Sequence, residues 1–188
     1  MDRERIVKEA KLAVFDFDGT LFNIDIDWKE VYERLSWISR EFGHIGIFES
    51  LVEAFQWSEN VYRSKERLVE AQSDLEESGL STIKEVPQGA RAARWRLSRG
   101  LSSSVLSLNT SYTLTKVIGH WGFYPIISIE NVERSKPDPQ GLNMILEAHR
   151  CEPGKAVFIG NSDIDRKCAE LAGVTFVHVD DIKEEWFE

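Results

Sequence analysis

The stretch Leu12-Ala-Val-Phe-Asp-Phe-Asp-Gly-Thr20 decides the fold. Its first four residues are apolar without alternation, which fits a strand covered on both faces, as in a parallel sheet. Asp16 and Asp18 fall on the same side of an extended chain. They lie at the carboxyl end of the strand, where open α/β sheets bind ligands. Gly19 permits a sharp exit there. Two carboxylates so close repel each other, so one keeps a proton unless a cation joins them. That leaves one ionised nucleophile or ligand and one acid, a division useful in catalysis. An Asp-Gly turn alone says little, but the whole string after an apolar strand is specific.

Four further apolar runs read as strands: Ser104–Leu108, Pro125–Ile129, Lys155–Ile159 and Val174–Val179. Helical stretches separate them, over Ser111–Trp121, Asp138–His149 and Ile164–Leu171. Strand–helix alternation of this kind predicts a doubly wound α/β fold built on a parallel sheet. The rhythm breaks once. From Phe15 to Ser104 the chain runs for 88 intervening residues, where a crossover needs roughly a dozen.

That interval reads as helical. Asp27 with Glu30 makes a capping box, and Trp28, Val31, Tyr32, Leu35, Ile38 and Phe42 follow with helical spacing up to the stop signal Gly43. Further helices are expected over Phe48–Gln56, over Ser58–Ser78 ahead of Gly79, and over Gln88–Arg99 ahead of Gly100. Residues 22–84 are therefore expected to form a small helical insertion, with 1–21 and 85–188 as the α/β core. The aromatics Trp28, Tyr32, Trp37, Phe42, Phe48, Phe55, Trp57 and Tyr62 read first as the core such a small unit needs. Arg91, Arg94, Arg96 and Arg99 read as the solvated face of the helix over 88–99.

Composition bounds the function. The 188 residues carry 23 basic and 32 acidic side chains, a net charge of −9. That argues against sequence-independent binding to nucleic acid, which needs positive charge. It leaves room for a small anionic substrate at a locally positive site. No apolar run approaches the roughly 18 residues of a membrane span, and MDRERIVKEAK lacks the apolar region of a signal peptide. Cys151 and Cys168 are too few for a disulfide framework and read as reduced thiols. His44, His120, His149 and His178 lack metal-ligand spacing. A cytoplasmic protein, monomer or homodimer, is the expectation.

With these residues in place, VFDFDGT resembles the first motif of the haloacid dehalogenase-like hydrolase superfamily, most of whose members are Mg²⁺-dependent phosphatases. Ser107 in VLSLNTS, with Asn109 and Thr110 beyond, is similar to the second motif, and Lys136 in SKPDPQGL to the third. The acidic fourth motif, often Gly-Asp-Ser-x-x-Asp, corresponds to Gly160-Asn161-Ser162-Asp163-Ile164-Asp165. The resemblance implies a three-layer, Rossmann-like core with a small all-helical cap inserted after the first strand.

It also implies roles. Asp16 would attack phosphorus and become an aspartyl phosphate, while Asp18 would protonate the leaving oxygen and then deprotonate water. Ser107 and Asn109 would bind the phosphoryl group, and Lys136 would offset its charge. Mg²⁺ would be held by Asp16, the Asp18 carbonyl and Asn161, with Asp165 holding a metal-bound water. Asn161 departs from the pattern and removes one negative charge beside the ion, a loss that Asp163 would offset. An acidic residue at the position of Asp18 favours phosphate esters over haloacids. A phosphatase for a small metabolite such as phosphoglycolate is the leading expectation. A phosphomutase, a non-catalytic phosphate-binding module with a weakened metal site, and an interaction protein using its aromatic insertion are the alternatives.

Overall fold

In the computed structural model, which describes residues 2–61 and 63–187, Leu12–Phe15 is a strand (β1) whose four side chains are all buried. Ahead of it lies a helix (α1, Arg3–Glu9) capped by Asp2 through Arg5 N. The sequence reading did not anticipate α1, because its seven residues show ion pairs four apart (Lys8–Glu4, Arg5–Glu9) rather than an apolar stripe. Past β1 the chain forms a two-residue strand (β2, Phe22–Asn23) and three helices: α2 (Trp28–Ser39), α3 (Leu51–Ser58) and α4 (Ser64–Gly79). A second short strand (β3, Lys84–Glu85) returns antiparallel to β2, pairing Phe22 with Glu85 and Asn23 with Lys84. Then come α5 (Pro87–Ser98), β4 (Ser102–Leu106), α6 (Ser111–Ile118), β5 (Ile126–Ile127), α7 (Gln140–Ala148), β6 (Ala156–Gly160), α8 (Asp163–Ala172) and β7 (Thr175–His178).

The five longer-range strands make one parallel sheet in the order β5-β4-β1-β6-β7, a doubly wound α/β fold. Alternation along β1 divides the core. Ala13 and Phe15 pack with Ala92 and Ala93 of α5 and with Leu114 and Ile118 of α6. Leu12 and Val14 face the other way, onto Leu142 and Ile145 of α7 and Cys168 and Ala169 of α8. β1 is thus covered on both faces and paired on both edges, which is why its run contains no polar residue. Both cysteines are free and buried, and no helix among the described residues is long and apolar enough to cross a membrane.

The helices between β2 and β3 have their own apolar cluster, Val31, Leu35, Ile38, Phe48, Phe55, Leu68 and Ala71. Asp27 caps α2 through Lys29 N and Glu30 N. α3 begins at Leu51, later than expected, because Ser50 accepts from Glu53 N while Glu53 accepts from Glu49 N. α4 begins at Ser64 rather than Ser58, and Glu59 instead reaches Ser135 of the core. Among the aromatics, Phe48 and Phe55 are buried, whereas Trp37 is 64% exposed. Tyr62 lies outside the described residues.

Arg96 corrects one expectation. It is not on a solvated face but wholly buried. Its guanidinium donates to the carbonyls of Val7 (2.7 Å), Ala10 (2.9 Å) and Ser102 (3.1 Å), tying α1 to the start of β4. Burial lowers its pKa to about 10, and the carbonyls supply the acceptors that a buried charge needs. The forked geometry is specific to arginine. Arg96→Lys and Arg96→Ala are both expected to destabilise the protein, the alanine by roughly 3–5 kcal/mol. Urea denaturation reads the loss as a lower midpoint at unchanged slope.

Candidate active site

The exit from β1 builds one wall of the site. Asp16 N still donates to Ile159 O of β6 (2.9 Å), which holds the residue in sheet geometry. The Phe17 carbonyl then gathers the N–H groups of Thr20, Leu21 and Phe22, so the chain doubles back. Gly19 has a φ of +75°, and a Cβ there would fall 2.0 Å from Asn161 Nδ2. Both the left-handed backbone and the close approach of Asn161 therefore require glycine. Thr20, also buried, places its hydroxyl 3.3 Å from Asp16 Oδ2 and 3.5 Å from Asn161 Oδ1. Asp18 Oδ1 accepts from Ile24 N (3.0 Å), fixing that carboxyl with the backbone that leads toward α2.

Lys136, from the loop after β5, reaches the floor of the site. Its Nζ donates to Asp16 Oδ1 (2.7 Å) and Asp165 Oδ1 (2.6 Å), and all three side chains are at least nine-tenths buried. Asp165 Oδ2 accepts from Asn161 N, Ser162 N and Ser162 Oγ, and Ser162 Oγ accepts from Asp165 N. This capping box starts α8 and leaves Asp165 spanning Lys136 and a helix N-terminus. Burial pulls Lys136 down, but the two carboxylates more than reverse this and raise its pKa. Asp16 is raised to about 7, first by burial and then by Asp165, against the pull of Lys136. Asp18 is raised to about 6, mainly by burial, with Ile24 N opposing.

The third wall follows β4. Ser107 N is spent on Ile127 O (3.0 Å), so the backbone N–H of this residue continues the sheet. Its hydroxyl donates to Asn109 Oδ1 (2.7 Å) and accepts from Asn109 N (3.1 Å). Asn109 in turn donates to Glu76 Oε1 (2.9 Å), and Thr110 donates to Glu76 Oε2 through N (3.1 Å) and Oγ1 (2.7 Å). Glu76 comes from α4, is fully buried, and sits ahead of the N-terminus of α6. The sequence analysis missed it. The available signal was its place on the stripe Leu68, Gln72, Glu76 and Gly79, the buried face of α4.

These elements enclose a cavity of about 310 Å³. Every expected site residue lines it: Asp16, Asp18, Ser107, Asn109, Lys136, Asn161 and Asp165. Trp28, Tyr32, Ser50, Leu51 and Val52 close it from α2 and α3, so two aromatics read as core pack against the apolar cluster of the insertion and also line the site. Asp163 does not join them. Its side chain is fully exposed, 3.7 Å from Arg166, because the first turn of α8 points it outward. It cannot replace the charge that Asn161 lacks. Among the described residues no group of three or more His, Cys, Asp or Glu could hold a metal ion. The oxygen donors nevertheless suit a hard cation: Asp16 Oδ2 and Asn161 Oδ1 converge on the Thr20 hydroxyl, and oxygen ligands with several waters are what Mg²⁺ accepts.

Open α/β sheets bind ligands at the carboxyl ends of their strands, and Lys136 lies there between two aspartates. A profile of haloacid dehalogenase-like hydrolases matches residues 13–179, and the chain belongs to that family. Solved structures agree in fold. A candidate phosphoglycolate phosphatase from Lactobacillus plantarum is 21% identical over 93% of this chain and 92% of its own, with a TM-score of 0.66. A candidate haloacid dehalogenase-like hydrolase from Bacteroides fragilis is 22% identical, covering 89% and 86%, with a TM-score of 0.63. A candidate beta-phosphoglucomutase from Thermotoga maritima is 18% identical, covering 87% and 82%, at 0.55. No curated protein matches the chain.

The raised carboxyls make a stability prediction whose sign is opposite to the usual one. A carboxyl with a folded pKa above its ordinary 3.8 binds more protons folded than unfolded. Its contribution is full below pH 3.8 and is lost as pH rises through about 7 for Asp16. In EDTA, wild type is expected to lose stability relative to Asp16→Asn between pH 4 and 7. Parallel urea titrations of the two proteins measure this.

Proposed function

We propose that the protein is a Mg²⁺-dependent phosphatase that hydrolyses a small phosphomonoester through an aspartyl phosphate on Asp16, with residues 22–84 acting as a cap over the site. The observation that carries this reading is the convergence of Asp16, Lys136 and Asp165 on the floor of a cavity also lined by Asp18, Ser107 and Asn161. The names of the structural neighbours point the same way.

Asp16 is the nucleophile. Its carboxylate forms a bond to phosphorus as the bond from phosphorus to the ester oxygen breaks. Lys136, fixed by two carboxylates, cannot swing away and places a positive charge beside the charge gathering on the phosphoryl oxygens. Asp18 gives its proton to the departing alcohol oxygen, and a carboxyl that stays neutral up to about 6 can do this near neutral pH. In the second half Asp18 takes a proton from water, whose oxygen attacks phosphorus and releases Asp16. The Ser107 hydroxyl turns from Asn109 to a phosphoryl oxygen when phosphate is bound. The Asp16 carboxylate, the Asp18 carbonyl and Asn161 would hold Mg²⁺, which when bound supplies charge stabilisation for the phosphate and favours ionised Asp16.

The test is hydrolysis of p-nitrophenyl phosphate with Mg²⁺ and with EDTA. Turnover is expected with Mg²⁺ alone, and Asp16→Asn is expected to lower it by at least about 10³-fold. Asn161→Asp is expected to lower the Mg²⁺ concentration needed for half-maximal rate. A silent wild type that gains turnover through Asn161→Asp would instead indicate a phosphate-binding module.

A further inference from the structure

The cavity has two unlike halves, and their chemistry bears on the alcohol part of the substrate. Lys136 is the one cationic side chain among the described lining residues, and its ammonium is already committed to Asp16 and Asp165. Three carboxyl groups, those of Asp16, Asp18 and Asp165, face the same space. The opposite half is apolar and aromatic. Trp28 and Tyr32, one turn apart on α2, stack with ring centroids 6.2 Å apart and planes at 28°. Leu51 and Val52 of α3 stand beside them, with the Ser50 hydroxyl held as the cap of Glu53 N.

With the phosphate at Asp16, Ser107 and Lys136, the lining left for the alcohol includes the α2 and α3 residues. A second anionic group on the substrate would find no free cation among the described lining residues to offset its charge. An uncharged ring, by contrast, would pack against Trp28 and Tyr32, where aromatic contact is favourable. The volume of about 310 Å³ is at the low end of the roughly 300–1,000 Å³ range of ligand sites, so one small ring beside the phosphate fills it.

We infer that the substrates are monophosphate esters of uncharged cyclic or aryl alcohols, seated on Trp28 and Tyr32, and not phosphorylated carboxylic acids. This rests on the phosphatase reading and narrows it away from phosphoglycolate. It also assigns Trp28 and Tyr32 to substrate specificity.

The experiment compares kcat/KM with Mg²⁺ for p-nitrophenyl phosphate, glucose 6-phosphate and 2-phosphoglycolate, in wild type, Trp28→Phe, Trp28→Ala and Leu51→Arg. Wild type is expected to prefer both uncharged esters over phosphoglycolate by about tenfold or more. Trp28→Ala should raise KM for the uncharged esters with a smaller change in kcat, and Trp28→Phe should restore most of the loss. Leu51→Arg supplies the missing cation and should shift the preference toward phosphoglycolate. Val52→Arg serves the same purpose if Leu51→Arg lowers the melting temperature. Phosphoglycolate turned over as well as the uncharged esters, or a preference that neither arginine moves, overturns the inference and leaves the phosphatase reading standing. Failure to cleave any of the three esters overturns both.

Discussion

The Lys136 ammonium, buried between Asp16 and Asp165, is the contact on which the rest of the site depends. It joins three segments that are remote in sequence: the end of β1, the loop after β5, and the first turn of α8. Taking a lysine and two carboxylates out of water costs several kcal/mol per ion, so the cluster holds only because each charge has partners. Lys136 has both aspartates and, more distantly, the Leu106 carbonyl at 3.4 Å. Asp165 has three donors besides the lysine. Asp16 has Lys136, the Thr20 hydroxyl and the Phe17 N–H, yet burial and the nearby Asp165 still drive its carboxyl toward the neutral form.

A second constraint ties the helical insertion to the core beside that cluster. α4 contributes Glu76 to Asn109 and Thr110, Gln72 to the Leu108 carbonyl, and Lys65 to the Val132 carbonyl. Glu59, just before α4, holds Ser135, the neighbour of Lys136. α4 and the end of α3 are therefore fastened to the two loops that present Ser107 and Lys136. Lifting α4 away from the core exposes Glu76 and strips Asn109 and Thr110 of a charged partner.

Much of the core was legible in sequence because its signals are local. The unbroken run Leu12–Phe15 needs two covered faces, and Asp16 and Asp18 beyond it have a place only at a strand end. The β4 and β5 runs were read too long at their carboxyl ends. Ser107 still donates to Ile127 O but its hydroxyl turns onto Asn109, and Ser128 leaves β5 by a reciprocal pair of bonds with Asn131. Such turns depend on side-chain contacts that periodicity does not report. Glu76 and Arg96 were missed for a related reason. Each is a charged residue on a helix, and a solvated face is the ordinary place for one. Their burial is decided by distant acceptors and donors, the carbonyls around α1 for Arg96 and the Asn109–Thr110 loop for Glu76.

Asn161 connects the departure from the family pattern to the charge balance of the cavity. Its amide lies over Gly19 and presents Oδ1 toward Thr20, so it keeps an oxygen where a hard cation would find one. An aspartate at the same place would be a fourth carboxyl group around a single lysine. Without a cation it would push Asp16 further toward the neutral form by like-charge repulsion. With a cation it would bind more tightly than an amide does. The asparagine therefore lessens the repulsion around Lys136 and would weaken the hold on a bound cation, two consequences of the same missing charge. Asp163, directed into solvent by the geometry of α8, leaves that charge unreplaced.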